Sequence, residues 1–421
     1  MMKHTLTALL ALLLALPSFS QDRVFVSAMI DSLCAPHFHG RGYVEDGDSK
    51  AAAFIQEQVE RLGVDQPVQV QEFQLGVNIF PGEMMLKVNG NTLITGKDFI
   101  IDPKSGKAKG TYDVVTFKPK WADSHEKLFS RIADGKFDGK VIVFDINDEN
   151  TNYQNLIDDV YKNPLKAAGY IILTDKKLTW SVSRSMVSFP IFHVQKSSVL
   201  KKIKGVEINV DQVFKSKHTG KNVMAILPGT SDSTSNSLVY TAHLDHLGRM
   251  GAATYIAGAN DNASGSAMLL DLYQWYFLNR PAYDVVFIWF GAEEAGLVGS
   301  KYFVENPLIT LDDISFLLNL DLMGDAKTGI TVVNGKVFED HFAKLSSLNM
   351  ELGLLEKVKA RGPAANSDHH PFYEKGVPSF FIYTTGEYKH YHDIDDVPSN
   401  LPLTNYEKVF ELITEFAKVG I

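Results

Sequence analysis

The chain of 421 residues is 45% hydrophobic and 22% charged, with a formal net charge of −9 and a single cysteine. This is globular composition at a length of two or three domains, and it excludes a disordered chain, a collagen-like or coiled-coil rod and a disulfide scaffold. The acidic excess is mild and gives no electrostatic case for a nucleic-acid partner.

Residues 1–20 read MMKHTLTALLALLLALPSFS. Lys3 and His4 precede an apolar run from Leu6 to Leu16, too short for a bilayer core of about 30 Å. Pro17 breaks the run, and Ser18-Phe19-Ser20 offers a small-residue cleavage site. This is the pattern of a secretory signal peptide. It predicts export to a periplasm or the extracellular space, a mature chain beginning near Gln21, and no integral membrane segment after processing. In an exported chain Cys34 has no partner for a disulfide, and nothing beside it in sequence would lower its pKa. A buried, unreactive thiol is expected.

The first structural element is an amphipathic helix over 49–62, capped by Ser49, with Ala51, Ile55, Val59 and Leu62 in one stripe and Gly63 as its stop. Residues 68–75 alternate as a strand, and 83–95 carry the Asn89-Gly90 hairpin signal. Strands at 112–117, 140–145, 170–174, 189–194 and 206–213, with one helix over 155–168, describe a mixed, mostly β module spanning 76–217. After Gly220 strands and helices alternate. Strands are expected at 238–242, 285–290, 314–320 and 380–383, and helices at 263–278, 338–348 and 406–419. The continuous apolar run at 285–290 is typical of a strand covered on both faces. The pattern predicts an α/β three-layer sandwich with a mixed, largely parallel central sheet. It is built from 21–75 and 218–421, with the β module inserted between them. Residues 231–237 read as a polar surface turn.

The chemistry concentrates in five clusters placed after predicted strands or at a helix entry, where open α/β sheets build their sites. They are His243-Leu244-Asp245-His246, the glycine-bounded segment 258–265 around Asp261, Gly291-Ala292-Glu293-Glu294-Ala295-Gly296, Asn319-Leu320-Asp321 and Tyr391-His392-Asp393. Singly, each is an ordinary turn, cap or solvated loop. Together at one rim, their carboxylates would repel by several kcal/mol in a partly dry cleft, and a divalent cation removes that cost. Mixed imidazole and carboxylate donors suit zinc, with cobalt or manganese as alternatives. With Glu293 set aside as a candidate base and Asp245 as a supporting group, His243, Asp261, Glu294, Asp321 and His392 remain. These exceed the three protein ligands of one catalytic zinc. With Asp261 bridging, they would serve two metals about 3.5–4 Å apart that share a water.

These segments resemble the zinc-dependent exopeptidases that include secreted bacterial aminopeptidases, glutamate carboxypeptidase and glutaminyl cyclases. The likeness lies in His243-x-Asp245, Asn260-Asp261-Asn262-Ala263-Ser264-Gly265, Glu293-Glu294-Ala295-Gly296, Asn319-x-Asp321 and Tyr391-His392, and in their order. It extends to Gly40-Arg41-Gly42. The insert resembles a protease-associated domain through Gly139-Lys140-Val141-Ile142-Val143, Ala167-Ala168-Gly169-Tyr170-Ile171-Ile172 and Phe189-Pro190-Ile191.

The resemblance implies one zinc on His243 and Asp321, a second on Glu294 and His392, and Asp261 between them. It implies Asp245 orienting His243, Glu293 as general base, Tyr391 as donor to the oxyanion, and a cis peptide at Asp261-Asn262. Two features depart from the pattern. Residues 248–258 form an extra loop that could narrow the cleft, and Ser367-Asp368-His369-His370-Pro371 matches in part only, with His369 and His370 expected to shape the pocket. The expected activity is that of a secreted di-zinc metalloaminopeptidase acting on peptides. The alternatives are a carboxypeptidase of the same family, for which Arg361 and Lys389 are unplaced candidate cations, a glutaminyl cyclase, or a non-catalytic peptide-binding relative.

Overall fold

A computed structural model of the chain describes residues 23–146, 149–231 and 236–419. The expected signal peptide and most of the turn expected at 231–237 lie outside the described residues.

Helix α1 (Arg23–Leu33) opens the described chain, and its Val26, Ile30 and Leu33 recur at helical spacing and are buried. Helix α2 (Gly47–Leu62) starts two residues before the expected position. Asp46, in a left-handed conformation, stands at its N-cap in place of Ser49. Gly63 ends the helix as expected, at φ +110°. Strand β1 (Gln69–Ile79) then leads into a second lobe.

That lobe holds β2 (Met84–Val88), β3 (Asn91–Thr92), β4 (Phe99–Ile101), β5 (Ala108–Thr116), β6 (Val141–Asp145), β7 (Gly169–Thr174), β8 (Ile191–Gln195) and β9 (Gly205–Val210), with helices α3 (His125–Ala133) and α4 (Thr151–Asp158). Its sheet runs β3-β2-β9-β5-β6-β7-β8-β4. The β2–β3 turn has both Asn89 and Gly90 at positive φ, which the Asn-Gly signal requires. The helix expected over 155–168 is displaced. Asn150 caps α4 through Oδ1, which accepts from the Tyr153 N–H at 3.0 Å. The chain turns out at Asn163 (φ +49°), directly before Pro164, where a helical conformation is disfavoured.

The single strand expected at 206–213 is two strands, β9 and the long β10 (Val213–Leu227). β10 pairs antiparallel with β1 from Gln69↔Met224 to Ile79↔Val213. The first sheet therefore runs past the limits of 76 and 217 read from the sequence. The remaining elements are β11 (Ser237–His243), β12 (Gly248–Met250), β13 (Thr254–Ile256), α5 (Gly265–Leu278), β14 (Asp284–Phe290), α6 (Val298–Glu305), β15 (Ile314–Leu320), β16 (Gly329–Val333), α7 (Glu339–Leu352), β17 (Val358–Ala360), α8 (His369–Glu374), β18 (Ser379–Thr385) and α9 (Tyr406–Val419).

The first sheet runs β1-β10-β14-β11-β15-β18-β16-β17. Its centre, β14-β11-β15-β18, is parallel throughout, and antiparallel pairs flank it. Side chains alternate between the two faces. Leu238, Tyr240, Val285, Phe287, Trp289, Phe316 and Leu318 pack with α1, α2, α5, α7 and α9. Val239, Val286, Ile288, Phe290 and Leu317 pack with α6 and α8. This is the mixed three-layer α/β sandwich, and the double cover explains the uninterrupted apolar runs.

The extra loop at 248–258 is a small hairpin, β12–β13. Its Met250 and Ile256, with Leu247, are buried in the core of the second lobe beside Phe80, Leu86 and Ile208. The two lobes therefore share apolar packing.

Candidate metal centre

The parallel strands end at one rim. His243 is the last residue of β11, and Asp321 follows β15. A tight turn after β14 carries Glu293 and Glu294, and a loop after β18 carries Tyr391 and His392. Asp261 lies between β13 and α5, with a cis bond to Asn262 as the resemblance implied. Asp261 stands at the middle of the group. Its Oδ1 is 3.2 Å from His243 Nε2, and its Oδ2 is 3.0 Å from His392 Nε2. His243 Nε2 is also 3.5 Å from Asp321 Oδ1, and His392 Nε2 is 3.3 Å from Glu294 Oε2. All five expected ligands thus converge.

Each is braced from behind. Thr241 donates to Asn319 Oδ1 at 2.7 Å, Asn319 Nδ2 donates to Ser367 Oγ at 2.8 Å, and Ser367 donates to Asp321 Oδ2 at 3.2 Å. The Asp396 carboxylate accepts from the backbone N–H groups of Asn260 and Asp261 at 2.8 and 3.2 Å. The Asn262 amide ties this segment to the end of β15, donating to the Leu320 carbonyl at 3.0 Å and accepting from Gly265 N–H at 2.9 Å. A Cβ on Gly265 would meet Asn262 Oδ1 at 2.3 Å, so only glycine fits there. His243 Nδ1 is 3.2 Å from the Asp245 carbonyl. The Asp245 carboxylate accepts from Glu293 N–H at 3.0 Å and Glu294 N–H at 3.3 Å. It holds the turn of the two glutamates, while its backbone holds the imidazole.

Electrostatics follow from packing carboxylates against imidazoles. Burial opposes protonation of His392, but Glu294 and Asp261 outweigh it and push its pKa up to about 11. Burial likewise opposes protonation of His243, and Asp321, Glu293 and Asp261 hold it well above its ordinary range. Burial pushes Glu293 well up, reinforced by Asp368, Glu294 and Asp321. Burial also works on Glu294, yet His392 and His246 bring it down to about 2.

The donors fit a divalent cation. Asp321 Oδ1 is buried, has no hydrogen-bond partner, and faces an imidazole nitrogen. The ligand atoms of His243, Asp261 and Asp321 lie within 4.8 Å of one another. Nitrogen and oxygen donors in this mixture are those zinc prefers.

The other sequence expectations are placed as follows. Tyr391 is 46% exposed, with its ring stacked on His392 at 3.9 Å between centroids. His369 is fully buried against Phe381 and takes no part in a candidate metal group among the described residues. Arg361 and Lys389 are exposed. Cys34 is buried beside the Ala257 carbonyl, and burial pushes its thiol up to about 12.

Sequence reasoning missed His246, whose Nδ1 is 2.7 Å from Glu294 Oε1 and which groups with Asp261 and Glu294 as a further candidate donor. Its membership of the His243 cluster was the available signal. The influence of Asp368 on Glu293 was also missed, although Asp368 lies in the partly matching segment 367–371. Asp396 was missed because a lone loop carboxylate carries no signal of its own.

The fold is a mixed α/β sandwich, and the side chains gathered at its strand ends are a donor set that fits a divalent cation. Residues 222–417 match the model of Peptidase family M28. Leupeptin-inactivating enzyme 1 of Streptomyces exfoliatus is 33% identical over 178 residues, covering 40% of this chain and 37% of that protein. Aminopeptidase YwaD of Bacillus subtilis is 25% identical over 387 residues, covering 87% of this chain and 78% of that protein. The fold is that of BSAP, a zinc aminopeptidase from Bacillus subtilis, with a TM-score of 0.68 over 94% of both chains at 18% identity.

Proposed function

We propose that this chain is an exported metalloaminopeptidase that uses two zinc ions to hydrolyse N-terminal residues from peptides. The observation that carries the reading is the position of Asp261, whose two oxygens face the imidazoles of His243 and His392 separately. A carboxylate shared in this way suits two adjacent cations. His243, Asp261 and Asp321 would hold one, and His392, Asp261 and Glu294 the other. When bound, the pair supplies Lewis-acid polarisation and a water of lowered pKa.

The remaining steps fall to side chains. Glu293, with its proton affinity raised by burial and by Asp368, Glu294 and Asp321, takes a proton from the attacking water and delivers it to the leaving amine. The Asp245 carboxylate anchors its backbone. Although Tyr391 is 46% exposed, partial desolvation at the rim and the carboxylates of Asp261, Glu294 and Asp321 keep its hydroxyl protonated, so it can donate to the developing oxyanion. The cationic amino terminus of a peptide is attracted to this acidic rim.

Export rests on the pattern of residues 1–20. Among the described residues no helix is long and apolar enough to cross a membrane. A discontinuous catalytic part with a protease-associated-like insert is part of the same proposal.

The test is mass spectrometry of zinc-loaded protein incubated with free and N-acetylated peptides. Stepwise loss from free N-termini only is expected. Glu293→Gln should lower turnover by roughly 10²–10⁴-fold while zinc content stays unchanged. Retained turnover would remove the base assignment. Loss from C-termini would replace the reading with a carboxypeptidase, and ammonia loss from N-terminal Gln with a cyclase. No change in any peptide, with zinc bound, would favour a binding protein.

A further inference from the structure

His243 and His392 are held by different parts of the molecule. The Nδ1 of His243 faces the carbonyl of Asp245, two residues away. The Nδ1 of His392 lies 2.9 Å from the carbonyl of Trp180, which is 212 residues away on the second lobe. A carbonyl can only accept, so Nδ1 carries the proton and Nε2 is the nitrogen presented to Asp261 and Glu294. The Trp180 N–H donates back to the His392 carbonyl at 2.9 Å, closing a two-way backbone clasp. Trp180 is itself fixed. Its indole is buried in the core of the second lobe, and Nε1 donates to the Ile101 carbonyl at 2.8 Å. Three residues earlier, Lys177 pairs with the buried carboxylate of Asp393 and donates to the carbonyls of Lys389 at 2.7 Å and Tyr391 at 3.4 Å. The segment 177–180 therefore grips the Tyr391–His392 loop on both sides of the proposed ligand.

We propose that this segment of the inserted lobe is a positioning element for one half of the metal centre. It sets the tautomer and direction of His392, so that the zinc held by His392 and Glu294 depends on the insert and the zinc held by His243 and Asp321 does not. The proposal rests on the two-zinc reading above. Lys177 and Trp180 act through His392 and do not touch substrate.

The test uses full-length, metal-stripped protein titrated with zinc against a chelating indicator. The wild type is expected to take up two zinc ions. Lys177→Met, a change at a half-exposed side chain, should keep one zinc at wild-type affinity and weaken the other by about 10–100-fold, the usual effect of losing a partner behind a ligand. Lys177→Arg should restore it. Trp180→Ala, which removes the indole anchor, should act in the same direction. Metal-free Lys177→Met should still unfold in one cooperative transition, with a Tm lowered by the loss of the partner of Asp393. Two zinc ions bound at wild-type affinity in both variants would overturn the proposal, as would equal weakening of both sites. A wild-type stoichiometry of one would remove the two-zinc reading and this proposal with it. That failure is visible before any variant is made.

Discussion

The ring of His246 sits behind Glu294, with Nδ1 2.7 Å from Oε1, while Glu294 Oε2 faces His392 at 3.3 Å. Gly258 makes room for it. At φ +64°, a Cβ there would lie 2.3 Å from His246 Cδ2. The imidazole thus selects which carboxylate oxygen turns inward. His246→Ala should weaken zinc binding about 10–100-fold, with Glu294 free to rotate, and the same indicator titration measures it. At this scale the sequence was legible for residues that carry their chemistry in their own side chains: His243, Asp261, Glu294, Asp321 and His392. Among residues that act on those, Asp245 was legible as a support of His243. His246, in the same short cluster, was not, because residue type alone does not separate a ligand from its support. Trp180 acts through a backbone carbonyl, which every residue possesses.

Among the elements, Arg41 joins what the strands leave open. It is fully buried, and its guanidinium donates to five carbonyls: Leu33, Leu244, Ala257, Gly258 and Asp261. The end of α1, the exit of β11 and the segment carrying Asp261 are thereby clamped to one planar group. Arg41→Met would leave those acceptors unpaired, at about 1–3 kcal/mol each where they stay dry. Urea unfolding of the metal-free protein should register a loss of several kcal/mol. Arg41→Lys should recover only part of it, because an ammonium offers three donors without the planar fork. The parallel strands and α9 were readable because burial on two faces, or on one stripe, leaves a periodic apolar record. β10 was not, because residues 213–219 form a polar, largely exposed edge ladder with β1. The start of α2 and the limits of α4 depend on cap geometry at Asp46 and Asn150, and side-chain period does not report it.

In the whole molecule, protons do in the metal-free state what cations would do in the loaded one. His392 has its pKa raised from 6.5 to about 11, with burial opposing and Glu294 and Asp261 prevailing. Its contribution to stability is therefore complete below about 6.5 and is lost as pH rises toward about 11. Burial pushes Asp245 from 3.8 up to about 7, so its neutral form is favoured and stability falls as pH rises across that window. Glu294, lowered from 4.5 to about 2, opposes this only in acid. The metal-free protein should therefore lose stability as pH rises from about 5 to about 9. Zinc held by these imidazoles would displace their protons, so its affinity should rise over the same range. Because it binds the folded chain, it adds stability that grows with that affinity. Thermal melts of chelator-treated and zinc-loaded protein across this range should show a gap in Tm that widens with pH. Zinc addition in weak buffer should release protons. His392→Gln should narrow the gap by removing one of the two displaced protons. A gap that stays constant or shrinks as pH rises would mean that the cations do not replace protons on His243 and His392, and that the convergence of the strand ends serves some other charge.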